Sequence, residues 1–224
     1  MRAVIFDYGE VLCTADPAAR RQLLALTDLD DVTFDRLYWR DRHDYDLGIL
    51  NGHSYWAKFA HDANLNFTPE KIEALIESDV LMWTSNLIEP MLDWAAALQD
   101  AGLFTAILSN MGPDVLRTMR QEFSWLAHFN HLTWSCELGI AKPDPAIYTL
   151  TCEALGVQPG EALFLDDKLP NIHGAENVGL HAIQFSDVAQ LRQDLKDRDL
   201  LQNYPQPGNS RREDDGKDVF LSVL

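Results

Sequence analysis

The amino-acid sequence predicts an α/β protein with a parallel sheet and a helical unit inserted after the first strand. Short apolar runs at residues 3–6, 103–108 and 162–165 each lead into polar or acidic residues, which is typical of buried parallel strands. Between residues 14 and 90 this pattern gives way to helical periodicity. We therefore predict a sheet core from residues 1–13 and 91–202, a helical insertion over 14–90, and a tail over 203–224.

Composition restricts the possible partners and the compartment. The formal net charge is −17, from 18 basic and 35 acidic residues, which argues against nucleic acids and membrane surfaces as partners. A phosphate site would therefore need a local cation, either a metal ion or a buried Lys. Cys13, Cys136 and Cys152 lack metal-ligand spacing, and the N-terminus lacks a signal-peptide pattern. We expect a cytoplasmic protein.

The insertion contains four predicted helices. Apolar residues repeat at helical spacing near 23–26, 34–38 and 54–60. The fourth helix is predicted to begin at Thr68-Pro69-Glu70, with Thr68 as the N-cap and Pro69 as the first helical residue. Asn51-Gly52 is interpreted as the break before the third helix. Four consecutive helices indicate a small bundle.

The polar and aromatic segment at residues 39–46 has two interpretations. It could be a solvated helix end on which Trp39 packs inward. Alternatively, it could form a lip over a substrate site, where Arg40, Arg42 and Tyr45 donate hydrogen bonds to sugar or phosphate oxygens. Both interpretations remain open from the sequence.

Polar residues follow the core strands where a parallel sheet places its sites. Asp7 follows the first strand, and Ser109-Asn110 follow the second just before a predicted helix. Each could also be a simple helix cap or turn residue. Lys142 precedes Pro143 and would supply the local positive charge. From Pro90 and Pro145 onward, further helices are predicted, and the last strand and helix lie near 182–185 and 188–191.

The adjacent carboxylates Asp166 and Asp167 are the strongest chemical signal in the chain. Two acids at the end of a buried strand are costly to hold together unless a cation neutralises them. Oxygen ligands without a nearby Cys or paired His favour Mg²⁺ over zinc. The sequence therefore predicts a magnesium site at this strand end.

Four ordered segments together resemble the motifs of the haloacid dehalogenase superfamily. They are Phe6-Asp7-Tyr8-Gly9-Glu10-Val11, Leu108-Ser109-Asn110, Lys142-Pro143, and Phe164-Leu165-Asp166-Asp167 with Asn171. The resemblance implies a Rossmann-like core and identifies the insertion as a helical cap. The first motif is most similar to that of phosphatases with an Asp-x-Gly-x-Val pattern, a branch that includes enzymes acting on sugar phosphates such as glucose 1-phosphate.

This resemblance implies a mechanism and a set of residue roles. Asp7 would attack phosphorus and form an aspartyl-phosphate, with a small-molecule phosphate ester as substrate. Ser109, Asn110 and Lys142 would bind or orient the reacting groups. The implied magnesium ligands are Asp7, the Gly9 carbonyl, Asp166 and Asp167, with Asn171 supporting the last of these loops.

The chain departs from the family pattern at Gly9. Most phosphatases of the superfamily carry at this position an Asp that protonates the leaving group, an effect worth roughly 10²–10⁴-fold in rate. Either another group substitutes, with Glu10 the nearest carboxylate in sequence, or the substrate has a better leaving group, such as an anomeric sugar phosphate or an acyl phosphate.

Two other functions remain open. A 2-haloacid dehalogenase would use the same nucleophile on carbon without a metal, but Tyr8 stands one residue from the position where that family carries its aromatic residue, and paired Asp166 and Asp167 favour a metal enzyme. A phosphate-binding or regulatory protein with negligible turnover would have little use for a strand-end nucleophile such as Asp7.

Overall fold

The computed structural model describes residues 1–208 and contains one five-stranded sheet. The strands are β1 (Ala3–Phe6), β2 (Phe104–Ser109), β3 (His131–Trp134), β4 (Ala162–Asp166) and β5 (His181–Gln184). All neighbouring strands are parallel, in the order β3-β2-β1-β4-β5. The predicted α/β fold with a parallel sheet is therefore confirmed.

Eleven α-helices are assigned within residues 1–208. Those between β1 and β2 are α1 (Pro17–Thr27), α2 (Asp31–Arg40), α3 (Arg42–Asp46), α4 (Gly52–Asp62), α5 (Pro69–Thr84) and α6 (Glu89–Asp100). Those that follow are α7 (Pro113–Glu122), α8 (Ser135–Leu138), α9 (Pro145–Leu155), α10 (Leu169–Asn177) and α11 (Val188–Asp197). Short 3₁₀ turns occupy Ser124–His128 and Pro159–Glu161.

The sheet is buried on both faces, which explains its continuous apolar strands. Val4 and Phe6 of β1 pack on one face, together with side chains from α6, α7 and α11. Ala3 and Ile5 alternate with them and pack on the other face against α9 and α10. Because a strand side chain points to alternate faces, a strand between two helical layers has to be apolar at every position.

The insertion forms a separate apolar cluster. Side chains from α1, α2, α4 and α5 meet there, among them Leu23, Phe34, Trp56 and Leu75. Thr68 caps α5 by accepting a hydrogen bond from the backbone N–H of Lys71, as predicted. The insertion also contains the short helix α3, which the sequence analysis did not separate from α2. Its division from the core at residues 14 and 90 stays a prediction.

Two local predictions are revised. Asn51-Gly52 was interpreted as a break, but Asn51 is the N-cap of α4 and Gly52 its first residue. The tail predicted from residue 203 is held at its start, because Trp94 Nε1 donates to the Pro205 carbonyl at 2.7 Å and Arg192 Nε to the Pro207 carbonyl at 3.0 Å. Residues 209–224 of the predicted mobile tail lie outside the described residues. Within residues 1–208, no helix combines the length and apolar character of a membrane span.

Candidate active site

The register of the central strands brings the predicted site residues to one edge of the sheet. Phe6 of β1 lies opposite Ile107 of β2 and Leu165 of β4. The chain leaves all three strands within about two residues of these positions. Asp7, Ser109 and Asp166 therefore meet at the carboxyl ends of the strands, where open α/β sheets carry their sites.

A pocket of about 170 Å³ opens above this edge. Its lining combines the strand ends with residues from the helical insertion: Asp7, Tyr8, Gly9, Glu10, Trp39, Arg42, Asp46, Trp83, Ser109, Asn110, Met111, Val115, Lys142, Asp167, Lys168 and Asn171. Most of the predicted site residues are thus brought together. Asp166 lies beside the pocket, fully buried and bonded to Lys142.

Lys142 neutralises the buried carboxylates. Its Nζ lies 2.8 Å from Asp7 Oδ1 and 2.6 Å from Asp166 Oδ2, and it donates to the Leu108 carbonyl at 2.9 Å. The Lys142 side chain is fully buried. An ammonium group has three donors, so these three acceptors satisfy it completely. Lys142 is therefore the local cation that an anion site needs in a chain whose net charge is −17.

Two asparagines hold these charged groups in place. Asn110 Oδ1 accepts from the Lys142 N–H at 2.8 Å, and its Nδ2 donates to the Lys142 carbonyl at 2.9 Å. Asn171 Nδ2 donates to both oxygens of Asp166, at 2.9 and 3.0 Å. Asn110 therefore fixes the backbone of Lys142, and Asn171 fixes the carboxylate that Lys142 binds.

Burial and charge shift the pKa values of these acids in opposite directions. Burial raises the pKa of Asp7 to about 7, although Lys142 opposes the shift. Burial also acts to raise the pKa of Asp166, but the pKa stays below its usual value. The charge of Lys142 lowers it most, and hydrogen bonds from the Lys168 N–H and the Asn171 side chain lower it further. Burial raises the pKa of Asp167. Lys142 remains charged, because Asp166 and Asp7 raise its pKa despite burial.

The acidic residues fit a magnesium ion. Asp7, Asp166 and Asp167 each offer a carboxylate oxygen, and these atoms lie within 4.8 Å of one another. Asp166 is already bound by Lys142 and Asn171, which leaves Asp7 and Asp167 as the freer ligands. Among the described residues that line the pocket there is no Cys or His, so the donors are the hard oxygens that Mg²⁺ prefers.

The three hydrogen-bond donors predicted in the insertion differ in their position relative to the pocket. Arg42 lines the pocket, but its Nη1 lies 2.8 Å from Asp79 Oδ2 and is committed to that ion pair. Arg40 pairs with Asp62 on the protein surface and does not line the pocket. Tyr45 is buried and donates to Asp114 Oδ2 at 3.0 Å. The prediction that these residues donate to substrate is therefore corrected for Arg40 and Tyr45.

Seven residues that were not predicted as site residues also line the pocket: Tyr8, Trp39, Asp46, Trp83, Met111, Val115 and Lys168. Trp39 is half exposed, contrary to the interpretation that it packs inward. Lys168 lies with Nζ 5.5 Å from the Trp39 ring centre. Its position directly after Asp167 was a usable signal, whereas nothing in the sequence distinguishes Trp83 from a core residue.

Comparison with known protein families and curated sequences gives a consistent grouping. The family model of haloacid dehalogenase-like hydrolases matches residues 1–179. Rat bifunctional epoxide hydrolase 2 is 35% identical over 121 residues, covering 51% of this chain and 22% of that protein. A Pseudomonas (S)-2-haloacid dehalogenase is 28% identical over 134 residues (54% and 59%), and a Thermus thermophilus phosphoserine phosphatase is 31% identical over 122 residues (54% and 45%). The matches thus span less than two thirds of the length of these relatives.

Solved structures share the fold at low sequence identity. A haloacid dehalogenase family enzyme of Bacteroides thetaiotaomicron, in complex with magnesium and inorganic phosphate, gives a TM-score of 0.65 at 18% identity and covers 82% of this chain and 93% of its own. L-2-haloacid dehalogenase of Xanthobacter autotrophicus, with chloropropionic acid covalently bound, gives a TM-score of 0.61 at 18% identity, with coverages of 87% and 83%.

Proposed function

The chain belongs to the haloacid dehalogenase-like hydrolases, and from this premise we propose that it is a magnesium-dependent phosphatase of a small phosphorylated metabolite. The observation that carries the proposal is the grouping of Asp7, Asp166 and Asp167, whose carboxylate oxygens lie within 4.8 Å of one another. A site that displaces halide from carbon has no need of three converging carboxylates. A site that brings a carboxylate to an anionic phosphoryl group needs a cation between them.

Asp7 is the proposed nucleophile. Its carboxylate stands at the end of β1 in the pocket, and Tyr8 N–H donates to its Oδ1 at 2.7 Å. The other oxygen, Oδ2, would attack phosphorus in line with the leaving oxygen and form an aspartyl-phosphate. Water would then hydrolyse this intermediate and restore the Asp7 carboxylate.

The surrounding residues would stabilise the transferring phosphoryl group. Asp7, Asp167 and the Gly9 carbonyl would hold Mg²⁺, which when bound supplies positive charge between the nucleophile and the phosphoryl oxygens. The Ser109 hydroxyl makes one long contact, 3.5 Å to the Asn110 carbonyl, so it can turn to donate to a phosphoryl oxygen. Lys142, fixed by Asn110, lies between Asp7 and Asp166 and offsets the repulsion between their carboxylates.

The shape of the pocket supports a small substrate, with a sugar phosphate favoured. A volume of about 170 Å³ lies below the usual range for drug-sized ligands. Trp39 and Trp83 contribute aromatic faces, against which the C–H groups of a sugar ring can pack. When the phosphate is linked to the anomeric carbon, the sugar oxygen leaves phosphorus more readily than the oxygen of an ordinary alcohol. Such a substrate suits a chain with Gly9 in place of an acid.

The test is release of inorganic phosphate from a panel of sugar, acyl and alkyl phosphates, with Mg²⁺ or with chelator. We expect turnover that requires Mg²⁺ and that is lost in Asp7→Asn, because the amide is a poor nucleophile. Asp144→Asn serves as a matched control, since Asp144 caps α9 outside the pocket. Its turnover should equal that of the unaltered protein.

Two other outcomes would replace this proposal. Chloride release from 2-chloropropionate without Mg²⁺, and no phosphate release, would identify a dehalogenase like the Pseudomonas relative. Binding of inorganic phosphate without turnover of any ester would identify a phosphate-binding or regulatory protein.

A further inference from the structure

The pocket holds four carboxylic acids, and a proton from one of them would assist the departure of an alcohol from phosphorus. They are Asp7, Glu10, Asp46 and Asp167. The proposed function assigns Asp7 as the nucleophile and Asp167 as a metal ligand, and neither can also carry the proton. Glu10 and Asp46 remain as candidates for the leaving-group acid.

The Glu10 carboxylate already has a structural partner. Its Oε1 accepts a hydrogen bond from the Ala15 N–H at 3.2 Å, across the turn that follows β1. One of its two oxygens is therefore held by the backbone at the start of the insertion. Glu10 is thus suited to hold the turn between the core and the insertion.

Asp46 is fixed in position by contacts between the insertion and the core. It ends α3, and its backbone carbonyl accepts a hydrogen bond from Ser135 Oγ. The same hydroxyl oxygen accepts from the N–H of Met111 at 2.9 Å, in the loop that follows β2. Two residues later, a Cβ on Gly48 would lie 2.6 Å from the Cys136 carbonyl, so the chain passes directly against the core. These contacts fix the backbone that carries Asp46, which limits the positions that its side chain can take.

The Asp46 side chain is partly buried, at 16% exposure, and its carboxyl is poorly paired. Its Oδ1 is enclosed and lies 3.3 Å from Arg42 Nε, an ion pair not aligned well enough to form a hydrogen bond. Arg42 is shared with Asp79, because its Nη1 donates to both Asp79 oxygens, at 3.1 and 2.8 Å. Burial raises the pKa of Asp46, Asp79 adds to this, and Arg42 and the exposed Lys168 oppose it without reversing the shift. A carboxyl in these surroundings holds a proton more readily than one in water.

We propose that Asp46 is the acid that protonates the leaving oxygen, replacing the carboxylate that is absent at Gly9. The inference rests on the proposed phosphatase function. It assigns to the insertion a direct part in the chemistry, because the proton donor comes from α3 while the nucleophile comes from β1.

The proton balance closes over the two steps. Asp7 Oδ2 forms a bond to phosphorus while the bond from phosphorus to the leaving oxygen breaks, and the leaving oxygen takes the proton of the Asp46 carboxyl. Asp46 is then a carboxylate. Water next attacks the phosphorus of the aspartyl-phosphate and gives a proton to Asp46, and the bond from phosphorus to Asp7 breaks. Inorganic phosphate leaves, with Asp7 ionised and Asp46 protonated as at the start.

The test compares Asp46→Asn with Glu10→Gln on two substrates of similar size, benzyl phosphate and 4-nitrophenyl phosphate, in the presence of Mg²⁺. Enzyme is in excess over substrate, so that release of the alcohol or phenol reports the first step alone. Benzyl alcohol needs a proton to leave and 4-nitrophenol does not. We expect Asp46→Asn to slow benzyl alcohol release roughly 10²–10⁴-fold and to slow nitrophenol release at most several-fold. Glu10→Gln should affect both substrates equally.

The outcomes separate the two proposals. An unaltered protein that releases neither product would refute the phosphatase function and the role of Asp46 with it. Activity on 4-nitrophenyl phosphate alone would show that no working acid is present and would overturn the role of Asp46. Equal losses on both substrates in Asp46→Asn, or a selective loss in Glu10→Gln, would also overturn it. Asp46→Ser serves as a second acid-free variant if Asp46→Asn fails to fold, and Asp46→Glu should recover part of the benzyl phosphate rate.

Discussion

Lys142 Nζ lies 2.6 Å from Asp166 Oδ2, and neither side chain is exposed to solvent. Lys142 also contacts Asp7, so one ammonium group holds two carboxylates that would otherwise repel each other. Taking these ions out of water is costly, and their mutual attraction offsets that cost together with the hydrogen bonds from Asn171 to Asp166 and from Lys142 to the Leu108 carbonyl. The stability of the site therefore depends on the balance between the cost of burying these charges and their pairing.

Replacing Lys142 should destabilise the fold more than it alters its shape. In Lys142→Met the methylene chain is kept, but Asp7 and Asp166 lose their cation while both remain buried. We expect the free energy of unfolding to fall by about 3–5 kcal/mol, measured by urea denaturation with chelator present. Saturating Mg²⁺ should recover part of the loss, whereas Lys168→Met, at an exposed site, should cost under about 1 kcal/mol. An unchanged free energy of unfolding in Lys142→Met would show that the ion pairs of Lys142 contribute no stability.

The metal-free protein should lose stability as pH rises through Asp7 ionisation. Burial raises the pKa of Asp7 from 3.8 to about 7 in the folded state, so between these values the folded protein binds more protons than the unfolded chain. Stability therefore falls as pH rises across this window and levels off above it, by about 2–3 kcal/mol between pH 5 and pH 8. The measurement is urea unfolding of the unaltered protein and Asp7→Asn at both pH values. Parallel changes in the two proteins would contradict the prediction.

The buried Arg42 and the exposed Arg40 should differ sharply in their contribution to stability. Arg42 is paired with Asp79, which is 1% exposed, whereas Arg40 is 42% exposed. Arg42→Met leaves a buried carboxylate without its cation and should cost about 3–5 kcal/mol. Arg40→Met should cost under about 1 kcal/mol. Adding Asp79→Leu to Arg42→Met should restore part of the free energy of unfolding, and equal costs for the two single variants would contradict the assignment.

A methyl group at Gly112 should disturb the contact between the insertion and the core. A Cβ built there lies 2.0 Å from Tyr45 Cε1, and Tyr45 is buried with its hydroxyl bonded to Asp114. We expect Gly112→Ala to lower the free energy of unfolding by about 1–3 kcal/mol, because the Tyr45 ring has no free space into which to move. Gly160→Ala is the matched control, since its nearest contact would be 3.9 Å away. Equal thermal stability of the two variants would count against this packing constraint.

The sheet and its edge were predictable because their signals are local in the chain. A strand buried on both faces is apolar at every position, so the residue at which the apolar run stops marks the strand end. Asp7, Ser109 and Asp166 were located in this way, and parallel pairing then brings them to one edge. Strand patterns alone could not show that Lys142 contacts Asp7 and Asp166, because its loop is brought there by the packing of α9 on the sheet. Only the family resemblance implied that Lys142 binds the reacting groups.

The wrong predictions concern side chains of the insertion, namely which of them face the pocket, and they have a physical cause. In the segment from Trp39 to Asp46 nearly every side chain is aromatic or charged, so no apolar stripe indicates which side faces inward. Arg40 and Arg42 are two residues apart and point in different directions, one to the surface and one into the Asp79 pair. The chain bends at Asp41, where α2 has ended at Arg40 and α3 begins at Arg42.

The sequence by itself determined the fold class, the strand ends and the acidic cluster, because burial imposes a period and a composition that can be recognised along the chain. Only the tertiary structure decided which side chains of the insertion face that cluster. Asp46 reaches the pocket because Ser135 joins it to the loop after β2, and that contact spans 89 residues of sequence. Contacts of this kind produce no periodic pattern in the sequence, because they depend on how the insertion packs against the core.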